Sequence, residues 1–144
     1  MNNSDKSRQL KMLGMLLFLL GLITGFVVMN LKNPRMGLSA HMEGVMNGMF
    51  LVGAGLVWND LNLSEKMKSI LFGTLLYGTF ANWIATLLSA VWGTSQMTPI
   101  AGAGFTAEAL HENIIKGLLY SLALAMVFSL STLVWGLRGK YSSR

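Results

Sequence analysis

Four stretches free of Asp, Glu, Lys and Arg, residues 12–31, 44–59, 69–107 and 117–137, alternate with short polar breaks along this chain. An α-helix rises about 1.5 Å per residue, so a bilayer takes about 20 apolar residues to cross. The pattern therefore predicts four spans at about 10–31, 37–58, 67–92 and 113–137. The expected architecture is all-α: one integral membrane domain, residues 1–144, folded as a four-helix bundle.

The breaks predict how the spans are joined. Lys32-Asn33-Pro34-Arg35 is a tight turn in which Pro34 stops the preceding helix, making the first two helices antiparallel neighbours. Asn62 and Glu65 have the spacing of a capping box. Thr106 is positioned to cap the fourth helix, with Glu108 and Glu112 in its first turns. Gly93 to Glu112 is neutral up to Ala107 and rich in glycine, and a connection of that length predicts a lid or binding loop.

Composition agrees with a membrane protein: 53% of residues are hydrophobic and 12% charged, and the mean hydropathy is +0.53. A signal peptide is the rival reading of the first run, but the run is long for a signal core and Val27-Val28-Met29-Asn30-Leu31 is no small-residue cleavage site. Lys6, Arg8, Lys11, Lys66, Lys68, Arg138, Lys140 and Arg144 fall on one side of a four-span topology, and Lys32, Arg35 and Lys116 on the other. That bias places both termini in the cytoplasm of a multi-pass protein of the bacterial inner membrane. Topology thus accounts for the net charge of +5 and leaves no reason to read a nucleic-acid site. The absence of cysteine excludes disulfides, thiolate metal sites and thiol nucleophiles. Trp58, Trp92 and Trp135 fall where an interfacial belt is expected, whereas Trp83 lies mid-span as core or pocket wall.

Ionisable groups are costly in hydrocarbon and mark function there, which directs attention to His41. On a helical wheel Gly44, Val45, Gly48, Val52 and Gly55 share its face. The nearly side-chain-free strip beside the imidazole suits either a flat bound group or a neighbouring helix, and Gly21 and Gly25 repeat the spacing in the first span. In the third span Gly78, Asn82, Thr86, Ser89 and Gly93 form a polar stripe that must face the bundle. Asn47 and Asn82 are expected at a common depth of about 15 Å, as a pocket floor or as a structural amide pair. Glu43 shares the face of Asn47, turned away from His41, with proton handling and a structural role both open. His111 is an interfacial residue or a second axial position; Met46 and Met49 lie near His41 as packing; Arg35 and Lys116 meet an anionic cofactor edge or lipid headgroups. No Ser-His-Asp order, phosphate loop or paired-histidine zinc spacing is present.

The run Ser39-Ala40-His41 through Asn47-Gly48 resembles the His-x5-Asn-Gly segment of the hydroxylaminobenzene mutase and styrene oxide isomerase family, small four-helix membrane enzymes. The resemblance implies that His41 is the axial ligand and metal-binding residue of a haem b whose iron acts as a Lewis acid, beside Gly44, Gly48 and Arg35. It also implies that the protein is a homo-oligomer, a trimer, and that Asn47 lines the pocket. An ungapped alignment places Asn82 on a matching asparagine, but Thr86 where the isomerases have a tyrosine and Gly78 where they have an aspartate. Tyr77 to Trp83 and Pro99 to Gly104 look more like the mutase branch.

The expected function is an intramolecular mutase that turns a small aromatic substrate, an aryl hydroxylamine, into an aminophenol. Asn47, Asn82 and Thr86 would be the catalytic residues, and the cavity would exclude water from an electrophilic intermediate. Epoxide isomerisation to an aldehyde is the alternative chemistry. A small tetraspan transporter is the non-enzymatic alternative, although such carriers use a carboxylate in the first span and residues 12–31 hold none. A haem electron carrier would require a second ligand that the sequence does not offer clearly.

Overall fold

The computed structural model describes residues 3–138. Four long helices dominate: α1 (Asn3–Val27), α2 (Pro34–Val57), α3 (Glu65–Trp92) and α5 (Ala109–Leu137), with a single turn, α4 (Pro99–Gly102), inside the long connection. Short 3₁₀ turns, Val28–Asn30 and Trp58–Asp60, finish α1 and α2.

Three of these helices are long and apolar enough to cross a membrane: α1 with its 3₁₀ turn, α3 and α5. The expected fourth span does form a helix, α2, but His41, Glu43, Asn47 and the glycines dilute its apolar character below that of the others. Packing also departs from a closed bundle. α1 lies along α2, α2 along α3, and α3 along α5, while α5 makes no extensive contact with α1 or α2. The helices form an open row in which α2 and α3 are central.

Glycine explains why α1 and α2 lie so close. A Cβ on Gly44 would sit 2.5 Å from Gly21 Cα, and one on Gly48 would sit 2.5 Å from Phe18 N, so only hydrogen fits between these backbones. α3 and α5 are joined by hydroxyls instead: Tyr77 Oη lies 2.6 Å from Ser121 Oγ, and Ser129 Oγ donates to Thr74 Oγ1 at 2.8 Å. Leu10 and Leu17 of α1, Leu51 of α2, and Leu71 and Leu75 of α3 form a fully buried core that runs across the row. Trp58 belongs to that core, edge-on to Phe72 with ring centroids 6.2 Å apart, rather than to an interfacial belt.

Helix starts follow capping chemistry, at positions partly different from those expected. Asn33 caps α2, its Oδ1 accepting from the backbone N of Arg35 and Met36 at 3.1 and 3.2 Å. Ser64, not Asn62, caps α3 by accepting from Met67 N. Glu108 precedes α5 without a side-chain cap bond, so Thr106 does not cap it. The left-handed Gly93, φ 74°, terminates α3.

The 93–108 connection is latched over the α1–α2 turn. Lys32 Nζ donates to the carbonyls of Trp92 and Thr106, Asn33 Nδ2 to that of Ala101, and Arg35 Nη2 to that of Ala103. From α5 the buried carboxylate of Glu112 accepts from Ser95 N and Gln96 N. The loop is therefore a hydrogen-bonded cover over one end of the helices.

Candidate active site

His41 leaves α2 toward α1, where its Nδ1 lies 2.8 Å from Gly21 O. A carbonyl only accepts, so Nδ1 carries the hydrogen and Nε2 keeps a free lone pair. Gly25 makes this posture possible: a Cβ there would stand 2.9 Å from Nδ1. The ring opens onto a groove of about 640 Å³ whose walls include Leu19, Ile23, Phe26, Met29 and Leu38. Among the described residues His41 is the one ionisable side chain lining the groove.

Among the described residues no cluster of three or more His, Cys, Asp or Glu side chains exists that would hold a bare metal ion. His41 therefore suits a metal that arrives with its own ligand framework, and an apolar groove beside a pinned imidazole fits that requirement.

The expected cofactor strip is rearranged. The faces of Gly44 and Gly48 are filled by Gly21, Gly14 and Phe18 of α1, leaving no room for a flat group between them. Arg35 also lies outside the groove. Its guanidinium is engaged by the loop, 5.7 Å over the ring of Phe105 and bonded to Ala103.

A second constellation occupies the α2–α3 seam. Glu43 Oε2 accepts from Asn47 Nδ2 at 3.0 Å and from Asn82 Nδ2 at 2.6 Å. The two asparagines are thus at one level, as their depth predicted, but they do not bond to each other; a carboxyl group bridges them. Thr86 lies one turn beyond Asn82 and spends its hydroxyl hydrogen on its own helix, within 2.9 Å of Asn82 O and 3.0 Å of Trp83 O. Trp83 Nε1 reaches Thr24 Oγ1 at 3.2 Å, tying α3 to α1 behind Gly44. Gly78 is backed by Met126, whose sulfur would lie 2.5 Å from a Cβ there.

Asn47, Asn82 and Thr86 therefore stand together, and His41 stands apart from them: none of the three lines its groove. Between the two places α2 presents the exposed Met42, Met46 and Met49. Sequence reasoning underrated Glu43; its i, i+4 spacing to Asn47 was the available signal, and the reach of Asn82 from α3 completes it. His111 stacks on Trp92 with ring centroids 4.3 Å apart at 16°, at the loop end of the row beside Lys32 and Glu108 and away from the groove of His41.

Comparison with known proteins bears on this arrangement. Hydroxylaminobenzene mutase HabB of Ectopseudomonas oleovorans is 48% identical over 96% of this chain and 85% of its own length. Hydroxylaminobenzene mutase HabA of the same organism is 44% identical over 78% of this chain and 84% of its own length. No solved structure matches. The sequence profile of styrene oxide isomerase matches residues 6–138, running through every long helix and both the histidine groove and the carboxyl–amide cluster, and the chain belongs to that family of isomerases.

Proposed function

We propose that this isomerase converts an aryl hydroxylamine, with phenylhydroxylamine as the reference case, to an aminophenol within a single substrate molecule. The identity to hydroxylaminobenzene mutase HabB over nearly the whole chain carries the reading. Two positions of the α2–α3 seam support it against epoxide isomerisation. Gly78 and Thr86 stand where the epoxide isomerases are expected to carry an aspartate and a tyrosine; here Met126 fills the first place and the second hydroxyl hydrogen is bonded to backbone.

In the rearrangement the N–O bond breaks, a C–O bond forms on the ring, the ring carbon gives up a proton and nitrogen gains one, with no net oxidation. Haem b is the proposed cofactor, held through Nε2 of His41 in the apolar groove; when bound it supplies Lewis acidity toward the substrate oxygen. Gly21 O fixes the imidazole, so the ring keeps one orientation, and the groove walls beside it are apolar. Asn47 and Asn82 orient the arene and offer amide dipoles to developing charge, while Thr86 braces the turn that carries Asn82.

His41 and the asparagines flank the exposed methionine face of α2 from opposite edges, an arrangement that supports a site assembled from two copies of the chain. A trimer in the inner membrane, termini in the cytoplasm, provides those copies and covers apolar surface that the open row leaves bare.

The test uses detergent-purified protein given phenylhydroxylamine in ¹⁸O-labelled water. The expected result is a Soret band and aminophenol free of label. Solvent oxygen in the product would overturn the intramolecular course, and full activity from colourless protein would overturn the Lewis-acid part. Preference for styrene oxide in the same assay would transfer the reading to epoxide isomerisation.

A further inference from the structure

Among the described residues Glu43 is the one carboxyl group in the α2–α3 seam, and its two oxygens differ. Oε2 accepts from Asn47 and from Asn82 at 3.0 and 2.6 Å, whereas Oε1 has no partner among the described residues and is not sealed inside the protein. The two amides come from different helices, so they fix how the carboxyl group is turned and leave Oε1 as the presented oxygen, an acceptor while the group is ionised. Unpaired acceptors at such a depth are costly, which favours a ligand that brings a hydrogen.

We infer that Glu43 Oε1 is the substrate-selecting acceptor, receiving an N–H or O–H of the hydroxylamine. The inference rests on the aryl hydroxylamine reading above. An epoxide has lone pairs and no donor, and would leave Oε1 unpaired; a hydroxylamine has two donors. Sites that hydrogen-bond a substrate donor reject analogues lacking it far more strongly than apolar pockets reject an added methylene.

Glu43→Gln provides a directed test. The glutamine oxygen must face the two asparagine donors, so its NH₂ takes the place of Oε1 and turns an acceptor into a donor. Aniline, which donates, and nitrobenzene, which only accepts, are measured as inhibitors of phenylhydroxylamine turnover. In the variant, aniline should weaken about tenfold while nitrobenzene tightens, reversing their order. Equal weakening of both would mean a merely structural role and overturn the inference. Should the variant fail to fold, the unsubstituted protein decides. Aniline should bind at least about tenfold better than N,N-dimethylaniline although the latter is more apolar, and equal binding sinks the inference. Failure of the function reading shows separately, as no turnover by the unsubstituted protein.

Discussion

The two faces of α2 solve the problem of helix contact in opposite ways. Toward α1 the helix offers Gly44 and Gly48, and backbone meets backbone at distances a methyl group cannot enter. Toward α3 it offers Glu43 and Asn47, and the helices are joined by a hydrogen bond from Asn82. The first contact is strong because it is dry and shape-matched; the second is directional, leaving an oxygen with unused capacity. At the rim of the dry seam His41 is held in place: Gly21 and Gly25 bring α1 close enough to hold the ring, which then faces outward. Packing thus positions the imidazole nitrogen proposed to bind the metal, whereas polar bonding positions the groups proposed to meet the substrate.

The largest effect expected from disturbing this division is at His41. His41→Ala should abolish Soret absorbance and lower turnover about a thousandfold, several kcal/mol of Lewis-acid stabilisation. Activity above one tenth of normal would remove His41 from the reaction. Next comes the dry seam. Gly44→Val drives a side chain into the Gly21 backbone and should cost about 3 kcal/mol, roughly a 10 °C fall in melting temperature in detergent. An unchanged melting curve would show that α1 and α2 are not held by this contact.

The polar seam should respond more mildly and in a different observable. Asn82→Ala removes one of two donors on Glu43 and should retain haem while slowing turnover about tenfold to thirtyfold. Asn47→Ala, whose longer bond lies within a single helix, should slow it less. Should Asn47→Ala do the greater damage, the link between helices is not what matters.

Much of this organisation was legible before any coordinates. The number and order of the long helices follow from the uncharged runs, because no backbone group in hydrocarbon goes unpaired and helix is the local solution; their ends do not, since α1 begins at Asn3 among charged residues and α3 stops at Trp92 well inside an uncharged run. His41 and the common level of Asn47 and Asn82 follow from the cost of polar groups and the helical rise. The open row does not, because a chain apolar on every face marks none of them as inward. Gly44 and Gly48 read alike whether the partner is a helix or a ligand. The bond from Asn82 to Glu43 escaped, although Glu43 itself was singled out, because the wheel of α2 cannot say how α3 is turned toward it. The latching of the loop by Lys32, Asn33 and Arg35 escaped because it joins residues 60 to 74 apart in sequence.

That latch supplies a smaller prediction, away from both seams. Asn33 is fully buried, caps α2 through its oxygen and holds Ala101 O through its nitrogen. Asn33→Ala should cost about 1 kcal/mol of stability and expose the 93–108 loop to proteolysis, with little change in the Soret band. Rapid loss of haem instead would tie the cover to the groove.

The smallest effect separates packed glycines from free ones. A Cβ on Gly53, in the same helix as Gly44 and Gly48, meets nothing within 4 Å. Glycine within a helix costs roughly 0.5–1 kcal/mol relative to alanine, so Gly53→Ala should raise the melting temperature by a few degrees. The sign is the informative part. A rise fits a face of α2 with room for a methyl group at Gly53, whether or not a second copy lies beside it; a fall would mean that something packs closely there, and a second copy of the chain is the partner the proposed two-copy site would supply. Repeating the melt across protein concentration distinguishes these cases, since only a contact between copies makes the shift depend on concentration.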